Sequence, residues 1–265
     1  MCISPIHLKL KEAEVPCGKC PHCISRKVSA WSFRLMQETK YSTTAYFITL
    51  TYDEKNLRYK DLTTRPTLFK RDIQLFIKRL RKTHTDPRPI KYYAVGEYGE
   101  KTWRPHYHII IFNAAMQKIQ PAWNLGQIHY GTVTEASVGY TLKYITKQKP
   151  TKYALRNRNQ QFTLQSKGLG KEYLTKGMVS WHKKEIPTRA YCNLTDGKKI
   201  TMPRYYKEKI YTPEDRKAIQ IASSLLRDKQ RKQFNANFNV NYHNLTAAVE
   251  NYRNNIIYNL KISKL

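Results

Sequence analysis

An α+β layer, a central antiparallel β-sheet flanked by helices, is the fold this sequence predicts. Three observations carry it. Strand-like and helix-like runs succeed one another over residues 24–148 in an order that fits helices packed on an antiparallel sheet. The run Ile109-Ile-Ile-Phe112, closed by a turn-like Asn113, reads as a buried strand. Residues 68–84 set Ile73, Phe76, Ile77 and Leu80 on one stripe and six Lys or Arg elsewhere, an amphipathic helix suited to covering one face of a sheet.

In chain order, residues 1–23 form a short cysteine-bearing lead. Residues 24–40 repeat Ile24, Val28, Trp31 and Leu35 at helical spacing. Tyr46-Phe-Ile-Thr-Leu-Thr-Tyr-Asp53 alternates β-branched and aromatic residues and predicts the central strand of the sheet, with Thr49 and Thr51 on a shared face. Residues 54–66 read as a loop, and the helix at 68–84 follows. Strands at 91–97 and 106–112 flank a glycine-bearing loop. A short helix at 114–123, a strand at 126–134 and a tyrosine-bearing helix at 136–148 complete this part. Asp196-Gly197, between two strand-like runs, signals a hairpin. Thr212-Pro-Glu-Asp215 reads as a helix start, with Thr212 as cap, Pro213 at the first position and acids at the positive dipole end. A polar break is expected at 235–244. The organisation so predicted is a lead and first helix at 1–40, a core at 41–150, a basic β/loop extension at 151–210 and a helical C-terminal region at 211–265.

Composition narrows the function. The 265 residues hold 48 Lys or Arg against 19 Asp or Glu, a net charge of +29 that points to a polyanionic partner. The 20 tyrosines add stacking surfaces suited to unpaired bases. No apolar run reaches the ~18 residues of a membrane span, and the N-terminal stretch lacks a secretory core, so neither membrane insertion nor secretion is expected.

The most specific chemistry lies in Arg104-Pro-His-Tyr-His108. Alternate strand residues point the same way, ~6.5–7 Å apart, so His106 and His108 share a face while Tyr107 and Ile109 turn to the core. Two such imidazoles can hold one metal ion; the bland alternative is a pair of solvated histidines at a strand edge. Downstream, Tyr140-Thr-Leu-Lys-Tyr-Ile-Thr-Lys147 repeats Tyr-x-x-Lys twice, placing Tyr140 and Tyr144 on one helix face.

In this order, a strand, His-hydrophobe-His and Tyr-x-x-Lys resemble the motifs of HUH endonucleases, the initiators of rolling-circle replication. Phe47-Ile-Thr-Leu-Thr-Tyr52, Gly96-Glu-Tyr-Gly99, Arg104-Pro-His-Tyr-His108 and the doubled Tyr-x-x-Lys are similar to replication initiation proteins of microviruses. Met1-Cys2, the run Val15-Pro-Cys-Gly-x-Cys-x-x-Cys23 and Pro203-Arg-Tyr-Tyr206 point to the gokushovirus branch. The resemblance covers residues 1 to about 210. It implies an HUH endonuclease-like core that cuts one DNA strand at a viral origin and stays attached through a 5′-phosphotyrosine. Tyr140 and Tyr144 would be the nucleophiles. Lys143 and Lys147, each three residues on, would lower a phenol's pKa or pair with the scissile phosphate.

The metal would be Mg²⁺ or Mn²⁺, with imidazole favouring Mn²⁺. Glu97 is the candidate third ligand, because its strand should lie beside the histidine strand and the family places an acidic or polar ligand there; the plain alternative is a surface carboxylate. The implied partners are single-stranded and supercoiled origin DNA, with host helicase and DNA polymerase, in the host bacterial cytoplasm. A Gly-x-x-x-x-Gly-Lys phosphate loop is absent, so unwinding is left to another protein. Arg104 is placed to reach a phosphate. Residues 140–184 hold eleven Lys or Arg, with Glu172 the single acid, and Lys149, Lys152, Arg156, Arg158, Lys167 and Lys171 are the expected DNA contacts. The competing functions are an HUH transposase or relaxase and a non-catalytic basic nucleic-acid binder with a zinc site. Relaxases usually carry a third histidine where Glu97 stands, and the paired tyrosines favour replication.

Cys17, Cys20 and Cys23 form Cys-x-x-Cys-x-x-Cys, with Cys2 as a fourth thiolate. In a cytosolic chain this spacing favours metal over disulfide, with structural Zn²⁺ the first reading, an iron–sulfur cluster the second and unligated thiols the remaining one. His7 or His22 could stand in for Cys2. Cys192 reads as a buried hydrophobe.

Overall fold

The computed structural model describes residues 2–8, 13–60, 64–146, 158–194 and 197–237. The chain divides into two compact units, one formed by Met1–Lys184 with Ala190–Ile210, the other by Glu185–Arg189 with Tyr211–Leu265. The first unit is α+β, as predicted. It begins with a hairpin of β1 (Ile6–Leu8) and β2 (Ala13–Val15), followed by α1 (Pro21–Tyr41). Its central five-stranded antiparallel sheet runs in the order β6-β3-β5-β4-β7: Ile128–Thr132, Ala45–Thr51, Pro105–Phe112, Lys91–Tyr98 and Phe162–Gln165. Around it pack α2 (Lys70–Lys82), α3 (Met116–Ala122) and α4 (Glu135–Thr146), followed along the chain by α5 (Lys176–Lys184), the β8–β9 hairpin (Tyr191–Asn193, Lys199–Thr201) and α6 (Arg204–Ile210). None of the described helices is long and apolar enough to cross a membrane.

The middle strand is β5, not the 46–53 strand expected there. The reason is burial on two sides: from Tyr107 to Phe112 every residue of β5 is buried, so it needs neighbours on both edges and cover on both faces. β3 has a mixed pattern and takes the next place outward. One face of the sheet joins Ile48, Leu50, Tyr107, Ile109 and Ile111 to the α2 stripe Ile73, Phe76, Ile77 and Leu80 and to Trp123. The other face joins Tyr93, Val95, Ile110 and Phe112 to Leu35 of α1 and to Val138 and Leu142 of α4. The sheet crosses the boundary placed after residue 150, because β7 pairs with β4. Phe162 reaches over Gly96, where any Cβ would sit 3.0 Å from its ring, so that close approach requires glycine.

Tyr107, the residue between the two histidines, enters a buried network on the α2 side. Its hydroxyl lies 2.8 Å from that of Tyr52, which donates to Asp72 at 2.7 Å, and it accepts the Phe69 N–H at 2.8 Å. Burial raises both phenols far above their usual range, so neither is a source of phenolate. In the second unit α7 (Pro213–Asn237) starts as predicted: Asp215 accepts the Thr212 N–H at 3.0 Å and returns its own to Thr212 Oγ1 at 3.2 Å. The helix continues through 235–237, where a break is expected; residues 238–244 lie outside the described residues.

Candidate functional site

Directly paired residues of an antiparallel ladder point to the same face. β4 sets Glu97 opposite His106, while β3 sets Thr51 opposite His106 and Thr49 opposite His108. Glu97, His106 and His108 therefore converge, on the face away from α2. Glu97 Oε1 lies 2.8 Å from His106 Nε2 and 3.0 Å from His108 Nε2, and the three donor atoms fall within 4.8 Å of one another. Glu97 and His108 are buried, and His106, with a fifth of its side chain exposed, forms the open side.

The outer nitrogens are held as well. His108 Nδ1 is 2.9 Å from Thr49 Oγ1, and His106 Nδ1 is 3.2 Å from the Arg104 carbonyl. A carbonyl only accepts, so His106 Nδ1 carries a proton and a neutral ring turns its Nε2 lone pair to Glu97. Two acceptors 2.8 Å apart are stable only with a cation between them, a proton or a metal ion. Metal–ligand bonds of about 2.1 Å at right angles place neighbouring donors about 3.0 Å apart, the spacing found. Burial acts to raise the Glu97 carboxyl, but hydrogen bonds and charge from both histidines outweigh it and hold it at about 2. Burial lowers His108, against the pull of Glu97. A charged carboxylate beside a neutral imidazole is the state a divalent cation requires, so the three residues fit one.

Tyr140 stands over this site. A reciprocal cap starts α4, with Ser137 N–H donating to Thr134 Oγ1 at 3.1 Å and Thr134 N–H donating to Ser137 Oγ at 2.8 Å. Val138 and Leu142, four residues apart, seat the helix on the sheet. The Tyr140 ring then meets His108 edge-on, 5.1 Å between centroids, and Phe47 at 6.1 Å; Phe47 stacks on His108 at 14°. Tyr140 is 41% exposed, unlike Tyr52 and Tyr107. Lys143 Nζ lies 3.8 Å from the Tyr140 ring centre, over its face. Tyr144 occupies α4 one turn on; its side chain and Lys147 lie outside the described residues.

Residues 45–149, the segment from β3 through the tyrosine helix, match a family model of replication-associated proteins of the ORF2 type. The chain is 30% identical over 220 residues to Replication-associated protein ORF2 of Spiroplasma virus 4, covering 74% of this chain and 67% of that protein. The chain belongs to this family of phage replication-associated proteins. Within the family it is also 28% identical over 234 residues to Replication-associated protein VP4 of Bdellovibrio phage phiMH2K, covering 77% and 69% of the two chains. Replication-associated protein ORF4 of Chlamydia phage 1 is 23% identical over 223 residues, about half of its own length. No solved structure matches.

The family-model segment leaves out the cysteines, which gather separately. The β1–β2 hairpin folds the lead back, and Cys17 N–H donates to Cys2 Sγ at 3.3 Å. Cys17 and Cys23 sulfurs lie 4.0 Å apart, those of Cys20 and Cys2 3.9 Å, and all four fall within 4.8 Å. The fourth position belongs to Cys2 rather than to His7 or His22. Backbone N–H groups of Lys19 and Cys20 donate to Cys17 Sγ. The Ile3 N–H leads the influences that bring the Cys20 thiol down to about 6, while burial pushes Cys23 up to about 11. Tetrahedral bonds of about 2.3 Å to one zinc ion would separate sulfurs by about 3.8 Å. The cluster fits that ion. Cys192 is buried.

Of the expected DNA contacts, Lys167 and Lys171 are exposed, the latter 3.6 Å from Glu172. Arg104 pairs with Glu54 and donates to the Tyr52 carbonyl at 2.6 Å, bracing the start of β5. Arg158 corrects the expectation: it is 6% exposed, its guanidinium over the rings of Tyr98 and Trp103 at 4.9 and 4.8 Å. It packs under the strand that carries Glu97. Lys149, Lys152 and Arg156 lie outside the described residues. Sequence reading passed over His129, exposed on the β6 edge strand opposite Thr49 and so on the same face as His108. Its only signal there was a strand position.

Proposed function

We propose that the chain initiates rolling-circle replication of a small single-stranded DNA phage by nicking one strand of the viral origin. The observation that carries this reading is the convergence of Glu97, His106 and His108 beneath the exposed Tyr140, in a chain of the phage replication-associated family. Mg²⁺ or Mn²⁺ held by those three residues would withdraw charge from the non-bridging oxygens of the scissile phosphate. The protein supplies placement: Thr49 and the Arg104 carbonyl fix the imidazoles, and Phe47 with His108 borders the Tyr140 ring.

In the transfer, the Tyr140 phenolic oxygen bonds to phosphorus and the P–O3′ bond breaks. The 3′-oxygen takes up a proton, the phenolic proton goes to solvent, and the 5′ phosphate stays esterified to the protein. Energy of the phosphodiester is thereby kept for rejoining. Lys143 and Lys147 supply positive charge along the same helix. The free 3′-hydroxyl primes a host polymerase, with unwinding by a host helicase, in the host cytoplasm. Incubation with supercoiled replicative-form DNA tests this. Open circles carrying covalently bound protein are expected with Mn²⁺ and none with chelator; intact supercoils in both would sink the reading.

Cys2, Cys17, Cys20 and Cys23 act as a structural zinc site that fixes the lead to α1. Elemental analysis of the purified protein is expected to give about one zinc per chain, lost in a Cys17→Ser/Cys20→Ser variant along with thermal stability. Iron with visible absorption, or no metal, would overturn the assignment.

A further inference from the structure

α2 carries Lys70, Arg71, Lys78, Arg79, Arg81 and Lys82 against one acid, Asp72, and Asp72 is buried, 3.0 Å from Arg58 and bonded by Tyr52. Arg79 is turned to the Ala122 carbonyl at 2.7 Å and Lys70 to the Phe162 ring. That leaves Arg71, Lys78, Arg81 and Lys82 on the exposed side, together with Gln74. None of these four has a carboxylate within ion-pairing distance among the described residues. The nearest acid past the helix end, Asp86, is occupied by the Thr43 hydroxyl and the Arg88 N–H, both at 2.7 Å.

Lys78 stands three residues from Arg81 and four from Lys82, spacings at which like charges repel and disfavour the helix. A polyanion on this face relieves that repulsion. Two features separate the face from the nicking site. α2 packs on the Tyr107–Ile109–Ile111 side of the sheet, and Glu97, His106 and His108 lie on the other. Its exposed positions also bear no aromatic ring, whereas single-stranded DNA is held by stacking as well as charge. A ring-free row of cations suits phosphates of a duplex. From Arg71 to Lys82 the helix rises about 16 Å, a length over which duplex DNA presents about nine charges. Exposed Lys118 of α3 extends the patch across a hollow of about 260 Å³ at the C-terminal end of α2.

We propose that the outward face of α2 is a second DNA-contact surface, which anchors duplex DNA on the side of the sheet opposite the nicking site. The proposal deepens the initiator reading and rests on it. Duplex anchoring here leaves the other face open to the strand being cut.

The test is the full-length variant Arg71→Gln/Lys78→Gln/Arg81→Gln/Lys82→Gln, which leaves every packed residue of α2 in place. Binding to duplex DNA is measured against salt, and nicking on a short single-stranded origin oligonucleotide at saturation. The expected result is a duplex salt slope shallower by about 3 to 4, near 0.9 per lost phosphate contact, and at least about tenfold weaker duplex binding. Oligonucleotide nicking should stay within about twofold of wild type, with an unchanged melting temperature. An unchanged duplex slope makes the row a solvated face and overturns the proposal. So does an equal loss of single-strand affinity, which would put α2 on the path of the cut strand. Failure of the wild-type protein to nick defeats the initiator reading instead, and leaves the duplex slopes readable on their own.

Discussion

Alanine at His106 or His108 is expected to abolish cleavage of single-stranded origin DNA while leaving binding of that DNA largely intact. Each imidazole gives one of three donors to one point, and neither has a neighbouring side chain that can replace it. Loss of a residue that merely orients a ligand costs about 10- to 100-fold in metal affinity or activity, so loss of a ligand should exceed the upper end. Thr49→Ala, which frees His108 Nδ1, is expected within that lower range. Glu97→Gln should weaken metal affinity more than DNA affinity, because Glu97 Oε1 faces both imidazoles at 2.8 and 3.0 Å. DNA affinity should survive, since it draws on cations spread across a chain of net charge +29. Calorimetric titration with Mn²⁺ and a gel assay on a labelled oligonucleotide check the two halves. Full cleavage by the double-alanine variant with metal chelated would falsify the assignment.

The histidines were legible in the sequence because their information is local. A strand alternates by two, so His-x-His on an apolar run fixes their common face before any neighbour is known. The α2 stripe was legible for the same reason, and so was the Thr212–Asp215 cap, both set by residues within a turn or two. Pairing across the chain was not. Phe162-Thr-Leu-Gln165 is short and half polar, and nothing in it announces that it closes the sheet against β4, about seventy residues earlier. The central place of β5 depends on which strands flank it, a choice made by packing that periodicity does not encode. Arg158 stands in a basic stretch like any surface cation. Only the arrival of Tyr98 and Trp103 beneath it, from β4 and its following loop, turns it inward. The cysteine triplet announced itself by spacing. That Cys2 completes it depends on the β1–β2 hairpin bringing two distant points of the lead together.

Rolling-circle synthesis explains why a second tyrosine should follow the first, and it gives the sharpest expected outcome. When synthesis regenerates the origin, the protein still carries the first 5′ end on one tyrosine. A second nucleophile must then cut the new junction without release, after which the freed 3′-hydroxyl attacks the first phosphotyrosine and closes a circle. One metal site can serve both cuts only if both tyrosines reach it in turn. Tyr140 lies edge-on to His108, and Tyr144 follows on the same helix after a rise of about 6 Å with little change of direction. Tyr140→Phe and Tyr144→Phe are each expected to keep some single-round nicking and to fail in repeated rounds that release circles. The double variant is expected to form no covalent adduct, while folding and binding DNA as before. Both hydroxyls are removed without loss of ring packing, so the Phe47 and His108 contacts of Tyr140 remain. A denaturing gel for protein–DNA adducts, run beside a replicating template scored for product circles, separates the cases. Normal circle production by Tyr144→Phe would make Tyr144 a packing residue and leave Tyr140 to act alone.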